Sequence, residues 1–310
     1  MSNILNSRSA VTPGVQGLSA NLCLAMSKLF LNGSLKRFGF RKKEVTRFDS
    51  MENYFADRVG QIEDYARLFR PFAAFAGKTV LELGCNSGYL LDNFLRRENF
   101  RAIGADISRE ALQIARETYG RRIEFVLTTP TTIPLADASV DVIYTIDTVE
   151  HLSRPREIFA DCLRVMRPGG VLLAHFQGWL GPYGSHLEDI IPFPWANVIF
   201  SMKTLLQVAA HLYESPDYEV PCYYLDPKTG ERKPNPFLDK AGWDEYLNHI
   251  KIRQFRKIVR ELRFEVLHME NIGFGGKTFP IARYLAKLSQ LPIAEEFFTK
   301  ATFAALRKRG

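Results

Sequence analysis

Between Lys78 and Gly178 short apolar runs alternate with stretches of helical periodicity, the pattern of parallel strands joined by crossover helices. The runs predict strands at 79–83, 102–105, 123–127, 140–146 and 171–176. Between them fall helices at 89–97, at 109–119 with Leu112 and Ala115 facing inward, and at 156–166, the last closed by Pro168, Gly169 and Gly170. The rhythm stops at residue 179 and resumes at 250. There an amphipathic helix over 250–262, carried by Ile252, Phe255, Ile258, Val259 and Leu262, leads to a sixth strand at 264–269 and a seventh at 301–307. The pattern as a whole is that of an open, doubly wound α/β sheet.

Two regions do not follow it. Residues 179–249 carry eight prolines between Pro182 and Pro236 and many aromatics, among them Trp179, Tyr183, Phe193, Trp195, Tyr218 and Trp243. An interruption of that length between strands reads as a binding insertion rather than a plain loop. Ahead of the sheet, Leu18, Leu22, Ala25, Met26, Leu29 and Phe30 recur at helical spacing, which predicts an amphipathic helix over 18–31. The expected organisation is a leader with a helical cap over 1–74 and a main domain over 75–310, with the insertion inside it.

Charge sharpens the reading of the leader. The chain has 310 residues and a net charge of +7, but residues 1–43 hold seven basic side chains (Arg8, Lys28, Lys36, Arg37, Arg41, Lys42, Lys43) and no acid. The rest is neutral in sum. A basic arm on a neutral body does not resemble a nucleic-acid-binding domain, whose charge spreads over a folded face. It leaves three readings for 18–43: peripheral contact with a membrane, an organelle-targeting segment, or a cap on the domain behind it. With 46% hydrophobic and 24% charged residues, disordered and fibrous classes are excluded. Four scattered cysteines, with no CxxC pair, argue against a disulfide framework or a structural zinc site, and make a cytoplasmic, reducing compartment the default. Oligomeric state leaves no trace in the sequence.

The sharpest chemistry is Glu82-Leu83-Gly84-Cys85-Asn86-Ser87-Gly88, directly after the first strand and before a helix, with Asp106 ending the second strand. Glycines let a ligand approach the backbone, and a carboxylate on the neighbouring strand accepts from both hydroxyls of a ribose. A dinucleotide loop spaces its glycines as GxGxxG. Here they fall at Gly84 and Gly88, and Glu82 would repel a pyrophosphate, which disfavours an oxidoreductase. A carboxylate there suits a cationic ligand.

ELGCNSG, IGADIS, IPLADASVDVIYTIDTVEHLSRP and LRVMRPGGVLL, in that order and spacing, resemble the class I S-adenosylmethionine-dependent methyltransferases, above all the subgroup of ubiquinone and menaquinone biosynthesis enzymes. The resemblance covers roughly 75–178, with a weaker tail over 250–307. It implies a Rossmann-like sheet and S-adenosyl-L-methionine as cofactor. By resemblance, Glu82, Gly84 and Gly88 lie around the methionine moiety, Asp106 holds the ribose, Ile107 lies against adenine, and Asp147 approaches the ligand's amino group. Two positions depart from the pattern. Asn86 replaces the middle glycine of GxGxG, which is tolerable at positive φ. The acid expected after the third strand is missing, leaving Thr129 to accept from the adenine amine next to Pro130, which has no N–H.

Methyl transfer to oxygen needs a base for the acceptor's proton, and histidine suits that task near neutral pH. His151, in the EHL after the fourth strand, and His186, in the insertion, are the candidates. Glu150, His186, Glu188 and Asp189 also admit a reading as divalent-cation ligands, but nothing fixes their convergence, and no metal is expected. The expected activity is methylation of a small molecule, at oxygen, on a lipid, quinone-like, natural-product or glycosyl acceptor. The rival is a binding or scaffold protein that keeps the fold without the chemistry and docks through its basic leader.

Overall fold

Thr79 to Leu83 is buried at each position, as a strand covered on both faces must be, and the computed structural model places it in the interior of a seven-stranded sheet. Residues 14–31, 50–216, 218–226, 229–275 and 282–310 are described. In chain order the first elements are α1 (Leu18–Leu31), α2 (Met51–Gly60), α3 (Ile62–Phe69), β1 (Thr79–Leu83), α4 (Tyr89–Leu95), β2 (Arg101–Asp106), α5 (Arg109–Tyr119), β3 (Glu124–Leu127) and β4 (Val140–Ile146). There follow α6 (Pro155–Val165), β5 (Met166–Phe176), α7 (Ala196–Ile199), α8 (Met202–Glu214) and α9 (Lys240–Tyr246). The chain closes with α10 (Ile252–Glu261), β6 (Glu265–Gly273), α11 (Ala282–Leu288), α12 (Glu295–Phe298) and β7 (Thr299–Arg307).

The strand order is β3-β2-β1-β4-β5-β7-β6, with β7 antiparallel to both its neighbours and the other pairings parallel. All seven strands expected from the pattern are present, and each end lies within a few residues of the expected one. The largest differences are β5, which starts at Met166 rather than at 171, and β6, which runs on to Gly273.

Alternation along each strand sends neighbouring residues to opposite faces. Val80, Ala102, Tyr144, Leu173 and Phe303 face one layer, where Phe69 of α3 packs against the rings of Phe94, Tyr144 and Phe303. Leu81, Ile103, Ile143, Leu172 and Ala304 face the other, under α6 and α10. Each fully buried aromatic such as Phe69 contributes about 1.5–3 kcal/mol. α5 begins where Ser108 Oγ accepts from the Ala111 amide at 3.1 Å, so a side chain satisfies one of the helix's open donors.

The described residues form two compact units, one within 51–184 and 245–310 and the other within 14–31, residue 50 and 185–244. The expected leader and helical cap over 1–74 span α1, α2 and α3. Of these, α2 and α3 pack with the sheet, and α1 packs on α8 of the insertion. α1 spans the expected residues, but its packed face differs. Ala20, Cys23 and Ser27 are buried, with Met26 and Phe30 at their flank, while Leu18, Leu22, Ala25 and Leu29 point to solvent. Small residues allow two helices to approach closely, which fits Ala20, Cys23 and Ser27 at the centre of this face with Leu24 and Leu31 packed at its flanks. The basic cluster from Lys36 to Lys43 lies outside the described residues. No helix among the described residues is long and apolar enough to cross a membrane.

Candidate active site

The C-terminal ends of β1, β2, β3 and β4 form one edge, and most of the sequence-expected cofactor residues meet there. The loop after β1 folds back onto β2: the Gly84 and Cys85 amides both donate to the Ala105 carbonyl, at 2.8 and 3.1 Å. Gly84 and Gly88 have φ of +82° and +80°, and a Cβ at Gly84 would stand 2.3 Å from Thr148 Oγ1. Only glycine fits. Asn86 takes φ +48°, the conformation its substitution for glycine requires, and its own Oδ1 accepts from the Ser87 amide at 2.7 Å.

Asp106 ends β2 with one carboxylate oxygen accepting from the Asn86 amide at 2.7 Å and the other from the Ser108 amide at 2.8 Å. The acid that would receive a ribose therefore also fixes the glycine loop and the start of α5. Ile107 beside it is exposed, an apolar side chain free to lie on a flat ring. The Thr128 amide donates to the Asp106 carbonyl at 2.8 Å, which brings Thr129 to the same edge; its Oγ1 accepts from the Thr131 amide at 3.3 Å.

Glu82 lies on β1 opposite Tyr144 in the β1–β4 register, so both side chains share one face of the sheet. Glu82 is buried, and its Oε2 has no hydrogen-bond partner among the described residues. Burial pushes its carboxyl up to about 8, and the charge of Asp106 adds to the effect against the neighbouring Tyr144 hydroxyl and the more distant Arg58. A buried carboxylate with one oxygen unpartnered, beside a glycine loop, fits a ligand that carries positive charge. The residues present therefore suit the sulfonium and amino groups of S-adenosyl-L-methionine.

Asp147, one residue past β4, is built differently. It takes φ +49°, its amide donates to the His175 carbonyl at 2.9 Å, and its Oδ1 lies 3.0 Å from His175 Nδ1. Arg58, from α2, donates to its other oxygen at 3.4 Å and to the Tyr89 hydroxyl at 3.2 Å. Burial works against the Arg58 charge, but Asp147 outweighs it and the guanidinium holds its proton more firmly than usual. The His175 ring stands edge-on to Tyr65 at 5.3 Å.

His151 sits in the turn after Thr148, with Nδ1 at 2.8 Å from the Tyr246 carbonyl. That contact holds the proton on Nδ1 and leaves Nε2 as the basic nitrogen. Burial lowers its proton affinity, so the ring is neutral near pH 7. Glu150 beside it is buried and held to its proton by burial and by the charge of Asp147; its Oε1 accepts from the Gln177 amide at 3.2 Å. His186, with φ +54°, belongs to the other unit together with Glu188 and Asp189.

Arg58, Tyr65, Tyr89, Tyr144 and His175 were not singled out from the sequence. Tyr89 directly follows Gly88, and Tyr144 is the one aromatic in the strand Val140–Ile146; both were legible signals. Arg58 lies 26 residues before the loop and His175 inside a buried strand, so only folding connects them to Asp147.

Fold and edge together have the Rossmann-like α/β architecture of the class I S-adenosylmethionine-dependent methyltransferase fold. More narrowly, residues 81–174 match the family described as "Methyltransferase domain". The chain is similar to an uncharacterized methyltransferase of Mycobacterium avium (strain 104), 31% identical over 153 residues, 49% of this chain and 59% of the relative. It is also similar to one of Mycolicibacterium vanbaalenii, 37% identical over 112 residues, 36% of this chain and 44% of the relative. The matches thus span roughly half the length of these relatives. Among solved structures, a chain of the complex between the Haloferax volcanii Trm112 methyltransferase activator and a methyltransferase aligns with TM-score 0.50 at 15% identity, over 84% of this chain and 95% of that one. At that identity the likeness establishes the fold alone.

Proposed function

We propose that the chain is an S-adenosyl-L-methionine-dependent methyltransferase acting on a small-molecule acceptor at oxygen, the acceptor being a lipid, quinone-like, natural-product or glycosyl intermediate. The observation that carries this is Glu82 Oε2, buried and unpartnered beside Gly84 and Gly88, at an edge where Asp106 and Asp147 also gather. A scaffold without chemistry has no use for a buried carboxylate kept unsatisfied, since such a group costs stability. When bound, the cofactor would supply an electrophilic methyl group for in-line attack by the acceptor oxygen.

The chain's own residues divide the remaining work. Glu82 and Asp147 would face the positive groups, Asp106 the ribose hydroxyls, Ile107 the face of the adenine ring and Thr129 its amine. His151 would take the acceptor's proton on Nε2, with the Tyr246 carbonyl holding the tautomer. His186, from the insertion, is the second candidate for that role. His175 is a positioning residue that orients Asp147. The insertion, 179–249 in the sequence reading, selects the acceptor within a methyltransferase domain over 75–310. A cytoplasmic location is the reading the cysteine pattern favours.

Calorimetric titration with S-adenosyl-L-methionine and with its demethylated product tests the proposal before any acceptor is known. Micromolar binding of both is expected, and the absence of binding would leave the scaffold reading in its place. With an acceptor in hand, His151→Asn should lower kcat by about 100-fold or more without changing cofactor affinity. His175→Gln should weaken cofactor binding as well. If His151→Asn turns over normally while His186→Asn does not, the base comes from the insertion.

A further inference from the structure

His151 ends a single short helical turn, Val149–His151, between β4 and α6. Within it the His151 amide donates to the Thr148 carbonyl at 2.9 Å and the Leu152 amide to the Val149 carbonyl at 3.3 Å. A turn that short leaves carbonyls in need of partners from elsewhere in the fold. Asn248 supplies them. Its Nδ2 donates to the Val149 carbonyl at 2.7 Å and to the Leu152 carbonyl at 2.8 Å, and its backbone amide donates to the Glu150 carbonyl at 2.9 Å. Its Oδ1 accepts from the Ile250 amide at 2.9 Å. The bonds to Val149, Glu150 and Leu152 bracket His151 on both sides along the chain.

The segment that carries Asn248 is itself fixed. Leu247 and Ile250 are buried, Ile250 in the layer under α6 and α10, and the Ile250 carbonyl accepts from the Trp179 amide at 2.7 Å. The His249 ring lies 3.8 Å from that of Trp179. Two residues before Asn248, the Tyr246 carbonyl meets His151 Nδ1 at 2.8 Å, and the Tyr246 ring stands 4.5 Å from the imidazole. Asn248 therefore joins the two halves of one contact: it grips the turn that carries the imidazole, and it belongs to the strap that carries the carbonyl. All of these residues lie in the same compact unit.

We infer that Asn248 is a positioning residue of the methyl-transfer site: by clamping the strap over 246–250 to the turn over 149–152, it keeps the Tyr246 carbonyl on His151 Nδ1 and so keeps Nε2 the bare nitrogen. The inference rests on the reading of His151 as the base. The role needs two N–H donors and an acceptor on a one-carbon stem, which asparagine alone provides.

The test is nitrogen NMR of the full chain carrying isotope-labelled histidine, with the His151 signals identified by their loss in His151→Asn. The wild type should show His151 as one neutral tautomer, protonated on Nδ1. Asn248→Asp is the decisive variant, because it keeps the side chain's size and its acceptor for the Ile250 amide but loses both donors to the turn. It should show a mixture of tautomers, as should Asn248→Ala, with cofactor affinity changed by less than about twofold. With an acceptor in hand, kcat of Asn248→Asp should fall about tenfold or more at unchanged KM for the cofactor. A merely structural role would lower the melting temperature without moving the tautomer, so a wild-type tautomer in Asn248→Asp would overturn the inference. In the wild type, where no variant has to fold, the Asn248 Nδ2 protons should exchange with solvent at least about tenfold more slowly than those of an exposed amide, and equally fast exchange would overturn it too. Normal turnover by His151→Asn would instead overturn the base reading, and with it the catalytic meaning of the clamp. An unmoved tautomer overturns the clamp while leaving His151 as the base, so the two failures are told apart.

Discussion

Glu82 and Asp147 stand at the same edge of neighbouring parallel strands, yet they are held in opposite ways. Glu82 is buried with one oxygen unpartnered, and holds its proton to about 8. Asp147 is half-buried and engaged by Arg58 and His175. In the proposed function the first carboxylate would meet a positive charge from outside the chain, whereas the second already has partners from α2 and β5. The difference shows how one ligand's charges can be met at one edge: an unsatisfied group gains most from a cation, and a pre-paired group provides orientation with little change in charge.

The largest effect should come from Glu82→Gln, which removes the unpartnered charge. Cofactor affinity is expected to fall about 100-fold, about 2.7 kcal/mol, by calorimetry. In the wild type a cationic ligand favours the carboxylate, so binding should release a proton and affinity should climb as pH rises from about 6 to 8, by up to about tenfold per unit; the variant should be flat. Ligand-free stability should run the other way. The fold favours the neutral carboxyl, so stability present near its ordinary value of 4.5 is lost as pH rises through about 8, and Glu82→Gln should suppress that loss in urea titrations. A wild type whose affinity ignores pH would erase the contrast with Asp147.

Asp106→Ala comes next. It removes a ribose acceptor and the two amide contacts that fix the glycine loop, and affinity should drop at least tenfold, about 1.4 kcal/mol. Arg58→Ala tests the paired side of the comparison. Since the Arg58 and Asp147 side chains are only about a fifth exposed, breaking the pair should cost about 1 kcal/mol of stability and several-fold in affinity, with a smaller pH dependence than Glu82→Gln produces. The smallest effect is Ser108→Ala, which should lower stability by about 1 kcal/mol through the lost cap of α5 and barely change binding. Strong loss of binding in Ser108→Ala alone would mean that the start of α5, rather than Asp106, organises the loop.

The contrast between the two carboxylates was only half legible. Glu82, Gly84, Asn86, Gly88 and Asp106 lie within 25 residues, on a strand, a turn and the next strand, so local spacing alone placed them at one edge. Even the positive φ of Asn86 was a readable consequence, because the loop needs it and Asn tolerates it. Arg58 and His175 lie 89 and 28 residues from Asp147, and no local pattern links them. α1 marks the same limit in another way. Helical spacing found the helix to the residue, but periodicity cannot tell a stripe that packs from one that faces solvent when both are apolar. The seam on α8 took Ala20, Cys23 and Ser27, with Leu24, Met26, Phe30 and Leu31 at its flanks, and left Leu18, Leu22 and Leu29 outside.

What the order of residues determined by itself was therefore the doubly wound sheet, the glycine loop and the acid on the next strand, because strand alternation, turn chemistry and short spacing are local physics. Which helix lends Arg58 to Asp147, why one oxygen of a buried carboxylate is left unpartnered and which face of α1 stays open were decided only by tertiary packing. Those outcomes depend on desolvation and close approach between segments far apart in the chain, and burial of that kind exists only once the chain has folded.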